Sequence, residues 1–479
     1  MWPILRRSLL VLVILYIVYF FCTAWIPYLR SRPVSQRYKE AHTADSFYGD
    51  GVSVDRVVLV EDGMSSLDAR VRICAEAQST LDVSYYAIHQ GTATDIFLAS
   101  LLDAADRGVQ VRILTDGGAG DLKRNAPLAA ALGTHPNIEM KLYNKPSLLK
   151  PWTLNGRMHD KYIIADDKLL LLGGRNVGDR FFGPEDFTGE LSLDRDVLVY
   201  NTAFHREDRS SVLFSVRDYM DTIWNGEDVT PFGHKELDGD NAYQVEAYRE
   251  ILHTLYREMI RVRPQLIARE LDWQELTLPT AKVTLVANPV EIGAKAPQVG
   301  YVLRELIQNA EESVLLQSPY VVLSPHMRAA MEELGGRGLD SRVLTNSMAA
   351  SPNLPAFSLY LKDRQDLLDS GLRVFEFQDR NAIHAKTYII DHRMCLVGSF
   401  NLDPRSEAVD TELLLAIDSP GFAAQMEAVE EQYLEHSLEV DPDGGYLQSD
   451  DLPPQEESRF KRILFHVLGF LLSPFRSLV

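Results

Sequence analysis

Met158-His159-Asp160-Lys161-Tyr162-Ile163-Ile164-Ala165-Asp166 returns 225 positions later as Ile383-His384-Ala385-Lys386-Thr387-Tyr388-Ile389-Ile390-Asp391, and both stretches read His-x-Lys-x4-Asp. An apolar run follows each, Leu169 to Leu172 and Met394 to Val397, and then a glycine-led tetrad, Gly173-Gly174-Arg175-Asn176 or Gly398-Ser399-Phe400-Asn401. Side chains alternate across a strand, so His159 and Lys161 are expected on one face, as are His384 and Lys386. The turns fall at Asp166-Asp167-Lys168 and Asp391-His392-Arg393. A returning strand then brings Asn176 or Asn401 back towards its histidine. One His-x-Lys among 12 histidines carries little information, whereas two in matching context argue for a duplicated unit.

Working outward, the same order of elements precedes each hairpin, as a repeat requires. Helical spacing over Ser65 to Gln78, a strand at Leu81 to Tyr86, a helix at Asp95 to Asp106 and a strand at Val109 to Leu114 lead to a further strand at Ile138 to Leu142. The second half runs as helix Val299 to Glu311, strand Val314 to Val322, helix Pro325 to Leu334, strand Ser341 to Leu344 and strand Leu372 to Glu376. Strands separated by helices imply βαβ units and a sheet covered on both faces, an α/β fold. The expected division is 1–34, an N-terminal transmembrane signal anchor; 35–223, domain 1; 224–279, a helical connector; 280–440, domain 2; and 441–479, a linker with a C-terminal amphipathic helix.

The net charge of −20 argues against a protein whose main task is to neutralise a nucleic-acid backbone. Cys22, Cys74 and Cys395 offer neither a disulfide framework nor zinc spacing. Leu9 to Ile26 is almost wholly apolar and long enough to cross most or all of a bilayer core. Its bulky flanks, Phe20, Phe21 and Trp25, suit an uncleaved anchor better than a small-x-small cleavage site. Arg6 and Arg7 lie before the span, while Arg30, Arg32, Arg37 and Lys39 lie after it, which favours a cytoplasmic catalytic part. Near the other end, Phe460, Ile463, Leu464, Val467, Leu468 and Leu471 recur at helical spacing among Arg459, Lys461, Arg462 and His466. That pattern fits an interfacial helix or one packed on the protein itself.

With these motifs in place, the chain resembles the phospholipase D superfamily across both halves, and within it the C-type branch of bacterial cardiolipin synthases. The branch-like features are Arg157-Met158-His159, Gly173 to Asp179, Ser318-Pro319-Tyr320, Thr345-Asn346-Ser347 and Gly398 to Ser406. The resemblance implies two tandem phospholipase D-like α-β-α sandwich domains with pseudo-two-fold symmetry, plus the N-terminal transmembrane helix. It further implies that the catalytic residues are His159, Lys161 and Asp166 with His384, Lys386 and Asp391, and that neither metal nor cofactor is required.

In the implied mechanism His159 is the nucleophile that forms a phosphohistidine and His384 the general acid and base. Lys161, Asn176, Lys386, Ser399 and Asn401 are the expected phosphate contacts, with Asp166 and Asp391 closer to turn residues than to reactants. Aligning Asp194-Arg195-Asp196 with Asp410-Thr411-Glu412 makes Asp196 and Glu412 the expected histidine-orienting carboxylates. Lys145, Lys150, Trp152 and Arg157 stand where a lipid headgroup or a solvated loop would suit them, and His89 reads as structural or as a rim contact. Phospholipid substrates and a membrane are the expected partners, with no nucleic acid expected. Phosphatidyl transfer, hydrolysis by water and nucleic-acid phosphodiester cleavage all use such a site.

Overall fold

The computed structural model describes residues 2–122, 126–206, 208–232, 239–268, 271–351, 353–449, 452–455 and 458–479. Parts of the expected connector and of the C-terminal linker lie outside them. The first half forms a nine-stranded sheet. Its order is Leu278–Pro279, Asp55–Val60, Asp196–Asn201, Leu169–Gly173, Lys161–Ala165, Thr80–Tyr85, Gln110–Asp116, Ile138–Tyr143 and Val229–Pro231. The second half repeats the arrangement with eight strands, Lys282–Ala287, Leu413–Asp418, Met394–Gly398, Thr387–Ile390, Ser313–Gln317, Asp340–Asn346, Arg373–Phe377 and Ser437–Glu439. Parallel neighbours in each sheet are joined through helices, as at Thr92–Asp106 and Pro325–Gly336.

The central hairpin strands have no exposed face, which explains their unbroken apolar runs. Outer cores form under Gly63–Glu76 and Thr92–Asp106 in the first half and under Gln298–Gln308 and Pro325–Gly336 in the second. A third core belongs to both halves. Leu170, Leu172 and Val197 meet Val397, Leu413 and Leu415 there, with the helices Val212–Trp224 and Pro420–Glu435 packed beside them. The two halves are therefore one body, joined by buried apolar surface.

Two boundaries drawn from sequence shift. Residues just after position 35 pack on the second half: Ala44 and Phe47 are buried with Val286 and Val299, and Gly49 N donates to Asp418 Oδ2 at 2.9 Å. Much of the connector belongs to the first half, because Val229–Pro231 and Leu278–Pro279 close the two edges of its sheet. The strand expected to reach Val322 ends at Gln317.

Candidate active site

Both hairpin strands start later than the alternation suggests, at Lys161 and Thr387, so each histidine sits in a short lead before its strand. The leads are held reciprocally across the seam. His159 N donates to Thr411 Oγ1 at 3.1 Å, and Thr411 N donates to the Arg157 carbonyl at 2.9 Å. In the other direction Ala382–Ile383 pairs with Ser192–Leu193, and His384 N donates to the Leu193 carbonyl at 2.6 Å. Each lead is also fixed from the end of a parallel strand of its own sheet. Met158 N donates to Asp116 Oδ2 at 3.0 Å and Ile383 N to Asn346 Oδ1 at 2.8 Å.

The orienting carboxylates are exchanged as well. His159 Nδ1–H donates to Glu412 Oε1 at 2.9 Å, and His384 Nδ1–H donates to Asp194 Oδ2 at 2.5 Å. Each bond fixes a tautomer and leaves Nε2 with its lone pair. Asp194 replaces the expected Asp196. Strand register gives the reason: Gly173 lies opposite Asp196 and Gly398 opposite Leu414, so the residue equivalent to Glu412 is Asp194. Asp196 points into the first domain, where it accepts from Ser66 Oγ at 2.6 Å, Arg70 Nη1 at 3.0 Å and Arg175 Nε at 3.2 Å.

The glycine and serine of the two tetrads follow from the carboxylates. A Cβ on Gly174 would lie 2.4 Å from Asp194 Oδ1, so the short aspartate needs the empty space. Ser399 instead donates to Glu412 Oε2 at 2.5 Å and accepts from Leu413 N at 3.1 Å. Its hydroxyl is committed to holding Glu412, which corrects the expectation of a phosphate contact. Asp166 and Asp391 are likewise removed from the reacting groups. They occupy the far turns with φ of 50° and 51°, and their carboxylates accept the backbone N–H groups of Gln78 to Thr80 and of Glu311 to Ser313. They tie each hairpin to the preceding helix-to-strand connection.

Lys161 and Lys386 are both buried, and each ammonium donates to the carbonyl of its own histidine. Burial lowers Lys161 to about 7 and Lys386 to about 8. Burial and the Lys386 charge lower His384 to about 3, and burial with the charges of Lys161 and Lys386 lowers His159 well below the usual imidazole value. Both rings are thus neutral at rest. Burial opposes ionisation of Asp194, but Lys386 and His384 outweigh it and hold the carboxyl below its ordinary value. Burial pushes Glu412 up to about 8 against the pull of Lys161. Cations kept short of counter-charge in a buried site are suited to receive an anion. Asn176 lies with His384 on one cleft, and Asn176 and Asn401 each have a buried amide oxygen with no hydrogen-bond partner among the described residues.

A cleft of about 430 Å³ opens in front of His384, bordered by His89, Asn176, Arg180, Tyr320 and Asn353. Aromatic edges brace both rings, Tyr86 at 5.0 Å from His159 and Phe181 at 5.4 Å from His384 between centroids. Arg157 is buried and bonds Asp116, Asn144 and Thr153, so it braces the lead rather than meeting a headgroup. Sequence reasoning missed Asp194, Tyr86, Phe181 and Arg180. Counting strand register back from Gly173-Gly174 would have found Asp194.

A profile of the family described as cardiolipin synthase, PLD-like domain, matches residues 71–208 and 303–434, each span containing one histidine motif. The chain belongs to this family. It is a phospholipase D superfamily enzyme with two tandem domains of the family's fold. Cardiolipin synthase C of Escherichia coli (strain K12) is 30% identical over 407 residues, covering 76% of this chain and 81% of that protein. Cardiolipin synthase A of Escherichia fergusonii is 23% identical, covering 82% of this chain and 71% of that protein. The crystal structure of phosphatidylserine synthase from Haemophilus influenzae Rd KW20 superposes with a TM-score of 0.64 at 14% identity, over 93% of this chain and 99% of that one, and so shares the fold.

Proposed function

We propose that the chain is a membrane-anchored phosphatidyltransferase of the cardiolipin-synthase type. The observation that carries this reading is the reciprocal site: two neutral histidines, each oriented by a carboxylate from the other half, beside two buried lysines. The family profile and the cardiolipin synthase relatives support the lipid class.

Binding of an anionic phosphodiester supplies the negative charge that the resting site lacks. Both lysines then stay protonated and His384 takes up a proton, with Asp194 stabilising the imidazolium. His159 Nε2 attacks phosphorus, the N–P bond forms, and the P–O bond to the leaving alcohol breaks as His384 gives that oxygen its proton. Lys161, Lys386, Asn176 and Asn401 hold the phosphoryl oxygens as charge develops. A hydroxyl of the acceptor, the glycerol of phosphatidylglycerol in this reading, then loses its proton to His384 and attacks phosphorus, and the N–P bond breaks. The helix Trp2–Ala24 forms most of a segment, Ile4–Tyr28, long and apolar enough to cross a membrane, and we place it in the inner membrane with the catalytic part cytoplasmic.

Expression in cells lacking their own cardiolipin synthases, followed by lipid analysis, tests the reading. Cardiolipin is the expected product. Phosphatidic acid accumulating without cardiolipin would replace transfer with hydrolysis, and activity on nucleic acid alone would sink both.

A further inference from the structure

The repeat is broken at one conspicuous place. Tyr143 and Phe377 end equivalent strands, yet His159 follows sixteen positions after the first and His384 only seven after the second. The extra chain is the loop around Ser147 to Trp152, and it leaves two leucines outside every core. Leu148 is 67% exposed and Leu149 82% exposed. Pro151 is buried, but the two leucines gain no cover from their own protein, and adjacent exposed leucines call for other apolar surroundings.

Its hydrogen bonds show where it lies. Tyr16 and Tyr19, both inside the apolar N-terminal helix, donate their hydroxyls to the carbonyls of Leu148 and Leu149 at 2.9 Å each. Tyr28, below that helix, donates to the Trp152 carbonyl at 3.2 Å, and Asn155 Nδ2 donates to the Ala24 carbonyl at 2.5 Å. The loop therefore climbs the helix from its foot. Tyr16 and Tyr19 stand eight and five residues before Ala24, so the bonded carbonyls of Leu148 and Leu149 sit about 12 Å and about 7.5 Å up the helix at 1.5 Å per residue.

A second apolar surface meets the same foot. The helix Arg459–Leu472 packs on Leu354–Asp369 through Phe465 and Gly469, which answers the packed alternative for this segment. Its outward face still carries Phe460, Ile463, Val467, Phe470 and Leu471, exposed along one helical stripe. The segment after it returns to the span, with the rings of Phe475 and Trp25 4.9 Å apart. Trp25, Tyr28 and Trp152 gather at that level, as aromatic residues do where a bilayer meets water.

We propose that the Ser147–Trp152 loop inserts into the hydrocarbon layer beside the anchor helix, and that the outward stripe of Arg459–Leu472 rests in the same leaflet. The proposal rests on reading Trp2–Ala24 as a membrane span. Its consequence concerns access to the site. Only three residues lie between Asn155, bonded to the foot of the span, and His159, four chain steps with a reach of about 14 Å at most. A lipid phosphodiester meets the catalytic histidine without its acyl chains leaving the leaflet.

Depth-dependent quenching tests this on the full chain. Cys22 is exposed and is replaced by serine, while Cys74 and Cys395 are buried. Val13→Cys, Leu149→Cys and Val52→Cys are then labelled singly with an environment-sensitive fluorophore in phosphatidylethanolamine and phosphatidylglycerol vesicles that contain doxyl-acyl lipid. Quenching at Val13 and Leu149 but not at Val52 is expected. Quenching at Val13 without Leu149 overturns the inserted loop and spares the anchor; no quenching at Val13 overturns the anchor and this inference with it. In activity assays, Leu148→Asp/Leu149→Asp is expected to lower turnover on vesicle substrate about tenfold and to leave turnover on a monomeric short-chain phospholipid unchanged. An equal drop on both substrates overturns a membrane role for the loop.

Discussion

The two halves share a fold and a motif but solve the same local problems with different residues. The first supplies Asp194 over an unsubstituted Gly174; the second supplies Glu412 with Ser399 bonded to it. The first presents Arg180, whose Nε donates to Ser192 Oγ at 3.0 Å, with no carboxylate partner among the described residues. Its equivalent, Arg405, is paired with Asp410 at 2.8 Å. The first follows its histidine with Asp160, raised to about 7 by burial despite hydrogen bonds from Thr411 and Tyr219, where the second has Ala385. Symmetry of backbone thus coexists with asymmetry of charge: the cleft before His384 keeps a free cation, while the equivalent cation beside His159 is neutralised. Such inequality is what the proposed division of roles between His159 and His384 calls for.

The comparison is broken most severely by removing either histidine. His159→Ala and His384→Ala are each expected to reduce turnover by about 10⁴-fold or more, measured as product lipid per enzyme, because neither half can act alone. The pair also separates the roles. A phosphatidyl adduct trapped on His159 in the His384→Ala variant supports the assignment of nucleophile, and an adduct on His384 in the His159→Ala variant reverses it.

Next come the carboxylates. Asp194→Asn and Glu412→Gln are expected to lower kcat by roughly 10²- to 10⁴-fold through the wrong tautomer, with little change in melting temperature. Asp196→Asn is expected to do the reverse. It breaks buried pairs with Arg70 and Arg175, at a cost of about 3–5 kcal/mol, while the folded fraction keeps most of its kcat. If Asp196→Asn lost kcat at unchanged stability, the register argument would be wrong.

Gly174→Ser sharpens the contrast between tetrads. The added Cβ drives Asp194 from its place, so about a hundredfold loss of kcat is expected, whereas Ser399→Ala removes the hydroxyl that bonds Glu412 and Leu413 N, adds no clash, and costs about tenfold. Equal losses would mean that the two positions are interchangeable after all.

The pH dependence follows from the lysines. A cation is lost as pH rises through its pKa, and burial has brought Lys161 and Lys386 to about 7 and 8. The free enzyme's kcat/KM is therefore expected to fall above pH 7 to 8 rather than above the ordinary lysine value. The limb in kcat should lie at higher pH, because a bound phosphodiester anion stabilises both cations. Coincident limbs in the two profiles would count against that. The smallest effect is expected from Arg180→Ala, a KM increase of about tenfold for the anionic lipid at unchanged melting temperature. Arg405→Ala should instead lower stability, since it takes away one partner of the buried Asp410.

The sequence by itself determined the duplicated α/β architecture and the apolar first helix, and it singled out both histidines, both lysines and Glu412 as the candidates that the fold then gathers at one seam. It could do so because these depend on local periodicity, on Gly-led turns after strands and on the improbability of two matched motifs. Asp194 was within reach but was misread, because matching Asp-x-acid triplets by type ignores which residue faces which across a sheet. Ser399 was assigned to phosphate because its own carboxylate partner lies thirteen positions away and cannot be seen in a tetrad. Only the tertiary structure decided that each histidine takes its carboxylate from the opposite half, since that exchange is made by the seam between two sheets. The same holds for the loop at Leu148 and Leu149. Its leucines are unremarkable as sequence, and they acquire meaning only where Tyr16 and Tyr19 of a distant apolar helix hold them.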